Sequence, residues 1–552
     1  MKLTKKNKLS LGISMTALFI FIFATISPAA DDFPGEVLKA RRSIKGPMML
    51  SHIQFLASKY CRGRETGDYG MEIADEYLTS VFKGADIQPA GDYGGYFQEV
   101  KLVEISLSDQ IQLAIEEQIG GTPIIKVAKL ELDYLPLNIS AEGNASAPLV
   151  FAGYGITAPE HNYDDYKNLD ARGKIVLVLR HEPGENQDSS PFEGRKNSKY
   201  GTFLAKILNA QAHGAAGILF VTDPLNHKDL SLSGGGFMSG TQWASLKEKE
   251  MRDDEDFKYM KFEKRMKIVG DDYGVKIPAV KIDGKLAQSL LGDNYSLLGL
   301  QEEIDKNLKP RSFALTGKKV SLRMEFETKP IKAHNIVAKI EGSDPVLKNE
   351  LVIVGAHYDH EGKDNHGEVY GGANDNASGS AAVLEIARAF RELELKPKRT
   401  LLFILFTAEE KGLLGARYYV DNPLFPLEKT VALLNMDMIS RNNVNQLSLV
   451  GKYQYPQLCK IVEEINRNTT NFELNFNVDA LIRQSDHFPF MRKKIPSLFF
   501  NSGEHEDLHT PRDTINLIDV EKTEKAAQLV FLAAWKIADL PAGAEDQLKL
   551  KK

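Results

Sequence analysis

Residues 350–393 read ELVIVGAHYDHEGKDNHGEVYGGANDNASGSAAVLEIARAFREL. An apolar run of strand length, Leu351 to Ala356, opens into a polar stretch. A Gly- and Asn-rich loop follows, and from Ala377 apolar residues recur with a helical period. The pattern continues downstream. RTLLFILFTAEE (399–410) is a buried-type strand, LLGARYYVDN (413–422) a helix and TVALLNMDMI (430–439) a strand. IPSLFFN (495–501) is a late strand, and VEKTEKAAQLVFLAAWKIAD (520–539) closes as an amphipathic helix. Such alternation predicts an α/β layer, a mostly parallel mixed sheet flanked by helices. In such sheets functional residues gather at the carboxyl ends of the strands.

Two further regions lie upstream. Between Ser146 and Asp283, APLVFAGYGI, GKIVLVLR, AAGILFVTD and KIPAVKI read as strands, with GTFLAKILNAQAHG as a helix among them. The charged run LKEKEMRDDEDFKYMKFEKRMK (246–267) reads as a solvated helix or loop. Nearer the N-terminus, Ile73, Ala74, Tyr77, Leu78 and Phe82 recur at helical spacing, and PAGDYGGYFQEV turns into a strand. At 552 residues the chain is long enough for two or three domains.

The first 30 residues stand apart from this fold. Lys2, Lys5, Lys6 and Lys8 precede the apolar stretch Leu11 to Ile26, and Ser27 and Ala29 are small enough for cleavage. This is the pattern of a secretory signal peptide, which implies a secreted or periplasmic protein with no membrane span once the leader is removed. The formal net charge is −6, and more negative without the leader's lysines, which argues against nucleic acid as a partner. Cys61 and Cys459 are the two cysteines, too few for a disulfide scaffold; whether they pair is open.

Acids and histidines mark the ends of the predicted strands. His357, Asp359 and His360 follow the first, Glu409 and Glu410 the second. Asp437 lies in the third, and His509 comes after the last. Asp375 is the one acid of the loop GGANDNASGS (371–380), where Gly and Asn permit backbone poses that other residues avoid. Imidazole and carboxylate without thiolate is a donor set for zinc or a similar metal. Two metals about 3.5–4 Å apart need a bridging group, and a carboxylate can supply it. A carboxylate left over can take a proton from water, so Glu409 and Glu410 could divide the two tasks.

Taken in order, GAHYDH, GGANDNASG, FTAEEKGLLG, NMDMI, SDHFPF and HTPRDT resemble the secreted dizinc aminopeptidases, relatives of glutamate carboxypeptidase II and the glutaminyl cyclases. GRETGDYGMEIADEYL resembles that family's lead-in, and the middle region resembles an inserted, β-rich protease-associated (PA) domain. The resemblance implies a signal peptide at 1–30, the N-terminal part of the catalytic domain at 31–110, the PA insertion with flanking strands at 111–320, and the catalytic domain at 321–545. It implies two Zn2+ per chain, held by His357, Asp375, Glu410, Asp437 and His509. Asp375 would bridge, Glu409 would be the general base, and Asp359 would orient His357 through its other ring nitrogen. The peptide bond after the bridging Asp would be cis. Asp486 and His487 would shape the pocket or brace the site, and His360 and His366 would be polar loop residues.

The function so implied is a secreted metallo-exopeptidase, an aminopeptidase acting on peptide substrates, with the PA domain as a lid or access element. The same scaffold also serves carboxypeptidases or dipeptidases, glutaminyl cyclases and non-catalytic receptors. One position departs from the pattern. Leu508 stands where many relatives carry a Tyr whose hydroxyl can stabilise an oxyanion.

Overall fold

The computed structural model describes residues 33–195, 198–232, 265–364 and 366–549. The leader at 1–30 and most of the charged run at 246–267 lie outside the described residues.

The long apolar runs form the inner strands of a nine-stranded mixed sheet. Its centre is parallel, in the order Thr400–Phe406, Leu351–His357, Thr430–Met436, Ser497–Asn501. These four strands are buried along their whole length, which explains why they read as continuous apolar runs and not as alternating ones. His334–Ile340 adds antiparallel on one side and Gln446–Val450 on the other. Helices Gly379–Arg391, Pro456–Asn468 and Val520–Ala538 cover one face together with the N-terminal helices Gly46–Leu56 and Tyr69–Gly84. Leu414–Asp421 and His487–Arg492 cover the other. This is the mixed α/β layer expected from the alternation.

The middle of the chain builds a second, eight-stranded sheet. Its parallel centre is Gly143–Ala152, Ile175–Leu179, Gly217–Val221 and Ala279–Ile282. Apolar clusters fill both of its faces. A three-stranded antiparallel ribbon, Arg265–Ile268, Leu102–Leu107 and Phe326–Ile331, joins the two sheets. Ribbon residues Met266 and Ile268 pack with Leu414 of the helix Leu414–Asp421 on the nine-stranded sheet. Arg417 of that helix pairs with Asp271 and donates to Tyr273 Oη at 3.1 Å. Cys61 and Cys459 are both buried and free, so the open question of a bridge closes in the negative.

Candidate active site

His357 is the last residue of its strand, and Asp437 directly follows Met436 of the neighbouring one. Glu409 and Glu410 come just after Phe406. All these strands run parallel, so their side chains converge on one edge of the sheet. His509 reaches the same place from the loop after Ser497–Asn501.

Asp375 is held there by backbone contacts. The buried carboxylate of Asp513 accepts the N–H of Asn374 at 3.0 Å and of Asp375 at 3.0 Å. Asn376 donates to Met436 O at 2.9 Å and accepts from Gly379 N. The Asp375–Asn376 peptide bond is cis. Gly372 has φ +56°, and a Cβ there would lie 2.1 Å from Asp375 O and within 2.6 Å of the His360 ring, so only glycine fits. Arg64 is fully buried behind the loop. Its guanidinium donates to the carbonyls of Tyr358, Leu56, Gly371 and Gly372 at 2.7–2.9 Å.

The convergence produces two adjoining groups. His357 Nε2 lies 3.3 Å from Asp375 Oδ1, 3.2 Å from Asp437 Oδ1 and 3.9 Å from Glu409 Oε2. His509 Nε2 lies 3.0 Å from Asp375 Oδ2 and 3.3 Å from Glu410 Oε2. Asp375 thus turns one oxygen to each group. Donors about 2 Å from a common tetrahedral ion stand roughly 3.3 Å from one another, and these spacings match that. Three of the facing atoms, His357 Nε2, Asp437 Oδ1 and Glu410 Oε2, are buried with no hydrogen-bond partner. Unsatisfied buried atoms within these groups suit bound ions better than a ladder of hydrogen bonds.

The charge balance is lopsided. Burial would raise Asp375, but His357 and His509 outweigh it and hold the carboxyl well below the usual range. Burial likewise opposes protonation of His357 and His509. The carboxylates of Asp437 and Glu409 at the first, and of Glu410 and Asp375 at the second, raise both imidazoles well above their ordinary value. Burial pushes Glu409 well up, and neighbouring Glu410, Asp437 and Asp486 add to it.

Asp359 sits differently from the expectation. Its carboxylate is 3.7 Å from His357 Nδ1, while its carbonyl oxygen is 3.3 Å away. The carboxylate instead accepts the N–H of Glu409 at 3.0 Å and of Glu410 at 3.3 Å. It therefore fixes the turn bearing both glutamates. His360 is not a polar loop residue: it is fully buried, and its Nδ1 lies 2.8 Å from Glu410 Oε1, so it orients that carboxylate. His366 is exposed. Asp486 is fully buried close behind Glu409, with neither carboxylate oxygen hydrogen-bonded. His487 packs on Phe499, and burial lowers it to about 3. Leu508 is buried beside His509 and supplies no hydroxyl.

The comparisons with known proteins bear on this geometry. Residues 335–534 match the model of peptidase family M28, a span that holds every candidate residue named above except Arg64. Residues 145–249 match the PA domain. Aminopeptidase YwaD of Bacillus subtilis is 31% identical over 219 residues, 37% of this chain and 45% of its own. A probable zinc metalloprotease of Pyrenophora teres f. teres is 24% identical over 271 residues, 40% of this chain and 54% of its own. The chain thus spans about half the length of the curated relatives it matches. The fold of the chain is shared with an aminopeptidase from Aneurinibacillus sp. strain AM-1, at a TM-score of 0.53 and 20% identity over 94% of this chain and 98% of that one.

Proposed function

We propose that this protein is a zinc metallopeptidase of the aminopeptidase class, working with two zinc ions. His357, Asp375 and Asp437 would hold one ion, and Asp375, Glu410 and His509 the other. The observation that carries this reading is the pair of groups sharing Asp375, with Glu409 beside the first and free of the second. The relatives' names, aminopeptidase and zinc metalloprotease, support the same reaction class.

Zinc bound there would supply a Lewis acid for the scissile carbonyl and lower the pKa of water. The remaining work falls to the chain. Glu409 takes a proton from the attacking water at its carboxylate and returns it to the leaving amine. Asp359 holds the glutamate turn through two backbone N–H groups, and Asp513 holds the Asp375 backbone. Burial of Glu409 keeps bulk water from competing for its proton. The leader reading of residues 1–30 supports action outside the cytoplasm on peptide substrates.

The test is metal content measured beside hydrolysis of a panel of aminoacyl-anilides, before and after chelation. Glu409→Gln should keep its zinc and lose roughly 10²–10⁴-fold in kcat. Retained turnover in that variant would sink the assignment of the base. Turnover that survives complete zinc removal would sink the metallopeptidase reading itself.

A further inference from the structure

A second group of metal-type donors lies in the PA region, far in sequence from the site above. His181 and Glu185 follow the strand Ile175–Leu179, and Asp223 and His227 follow its parallel neighbour Gly217–Val221. The carboxyl ends of adjacent parallel strands bring the two loops together. The spacing is reciprocal: His then Glu four residues on, and Asp then His four residues on.

One donor atom from each residue lies within 4.8 Å of the others. His181 Nδ1 is 2.6 Å from Asp223 Oδ1 and 3.7 Å from Glu185 Oε2. His227 Nε2 is 3.1 Å from Glu185 Oε2 and 3.8 Å from Asp223 Oδ2. The two rings stack with centroids 4.3 Å apart. Asp223 is fully buried and His181 nearly so. Amides brace the carboxylates from outside: Asn226 donates to Glu185 Oε2 at 3.2 Å and to Asp223 Oδ2 at 3.3 Å, and Gln301 approaches Asp223 Oδ2 at 3.4 Å. Metal-binding carboxylates commonly have such outer partners.

An ion-pair network is the competing explanation. Arg180 lies near both carboxylates, and buried Lys206 and Lys281 lie nearer Asp223. Those cations answer charge but do not explain the stacked imidazoles. A divalent ion would meet all four donors at once.

We propose that His181, Glu185, Asp223 and His227 form a structural zinc site that ties the 181–185 and 223–227 loops together. Four protein donors fill a tetrahedral zinc and leave no open position for substrate, which marks a structural site and not a second catalytic one. Imidazole with carboxylate favours zinc over calcium or magnesium.

The test uses the full chain, stripped with chelator and reloaded with zinc, with zinc per chain read by mass spectrometry. About three zinc ions are expected if the proposed dizinc site also holds. His181→Ala/His227→Ala should lose one ion, and His357→Ala/His509→Ala should retain one. If the first double variant fails to fold, as judged by circular dichroism, Glu185→Gln serves instead and should likewise lose one ion or release it far more readily to chelator. Zinc content and chelator resistance unchanged in the insert variant overturn the proposal. A wild-type chain holding one zinc that this variant loses upholds it while overturning the dizinc reading.

Discussion

The catalytic edge and the PA-region edge use the same structural device and the same residue types, yet they differ in what is left over. At both, His and carboxylate follow the carboxyl ends of adjacent parallel strands. In the PA region one donor atom from each of four residues lies within 4.8 Å of the others, in a single group. At the catalytic edge Asp375 is divided between two groups, and Glu409 stands 3.9 Å from His357 Nε2 without being needed to complete the second. The difference teaches that donor type does not separate a structural ion from a catalytic one. A carboxylate shared between two groups does.

The largest effect that could break this comparison belongs to Asp375. Asp375→Ala removes an oxygen from both groups, so activity should fall to background and both zinc ions of the dizinc site should be lost, with the PA-region ion kept. Metal analysis beside an anilide assay checks it. If only one ion leaves, the carboxylate is not shared.

Removing the support of that carboxylate comes next. Asp513→Ala strips the acceptor from two buried N–H groups, each costing about 1–3 kcal/mol when left unpaired. A loss of about 10–100-fold in kcat/KM should accompany the drop in stability. Arg64→Leu should instead act on stability, by about 3 kcal/mol or more in denaturant melts, because four carbonyls lose a charged donor.

Acid should loosen the metals. In the metal-free protein the carboxylates raise His357 and His509 well above the ordinary imidazole value, and His227 is raised too. A raised pKa means that protons occupy the ring at higher pH, so falling pH favours the proton over zinc. Zinc affinity at all three should therefore decline as pH is lowered, starting above the usual histidine range. Competition titrations against a chelator at several pH values test the sign. Affinity that rises on acidification would contradict it.

The smallest effect concerns how firmly the two regions are joined. Arg417→Ala removes a partly exposed ion pair to Asp271 and a contact with Tyr273. It should cost about 1 kcal/mol or less and leave both metal complements intact. A larger loss in a calorimetric scan would mean that the regions melt as one unit.

The catalytic sheet was legible because its inner strands are buried on both faces and so read as unbroken apolar runs ending in acids or histidines. The helix Gly379–Arg391 announced itself by period. Hidden were the antiparallel strand His334–Ile340, the helix Gly46–Leu56 and the long strand Ser312–Met324, whose sequences carry weaker patterns. Among site residues, Arg64 acts from 311 positions before Asp375 through backbone carbonyls alone. No local spacing could signal that. His360 looked like one more polar residue in a loop because its partner, Glu410, arrives from a different strand. The PA-region group stayed hidden for the same reason: HEPGE and DPLNH are unremarkable until two strands pair.

The ribbon between the sheets has a topological consequence. Leu107 faces Phe326 across it, so the chain leaves for the second sheet and comes back at adjacent positions. Along the chain, more than two hundred intervening residues stand between two paired strands, as the tip of a hairpin does, and Arg265–Ile268 among them pairs back onto the ribbon. A short turn joining the two strands would close the same path, and the metal-facing edge, assembled entirely from residues beyond 350, would keep its chain order. The sheet layer that carries the M28 match is thus arranged so that its neighbour can be exchanged without being rethreaded.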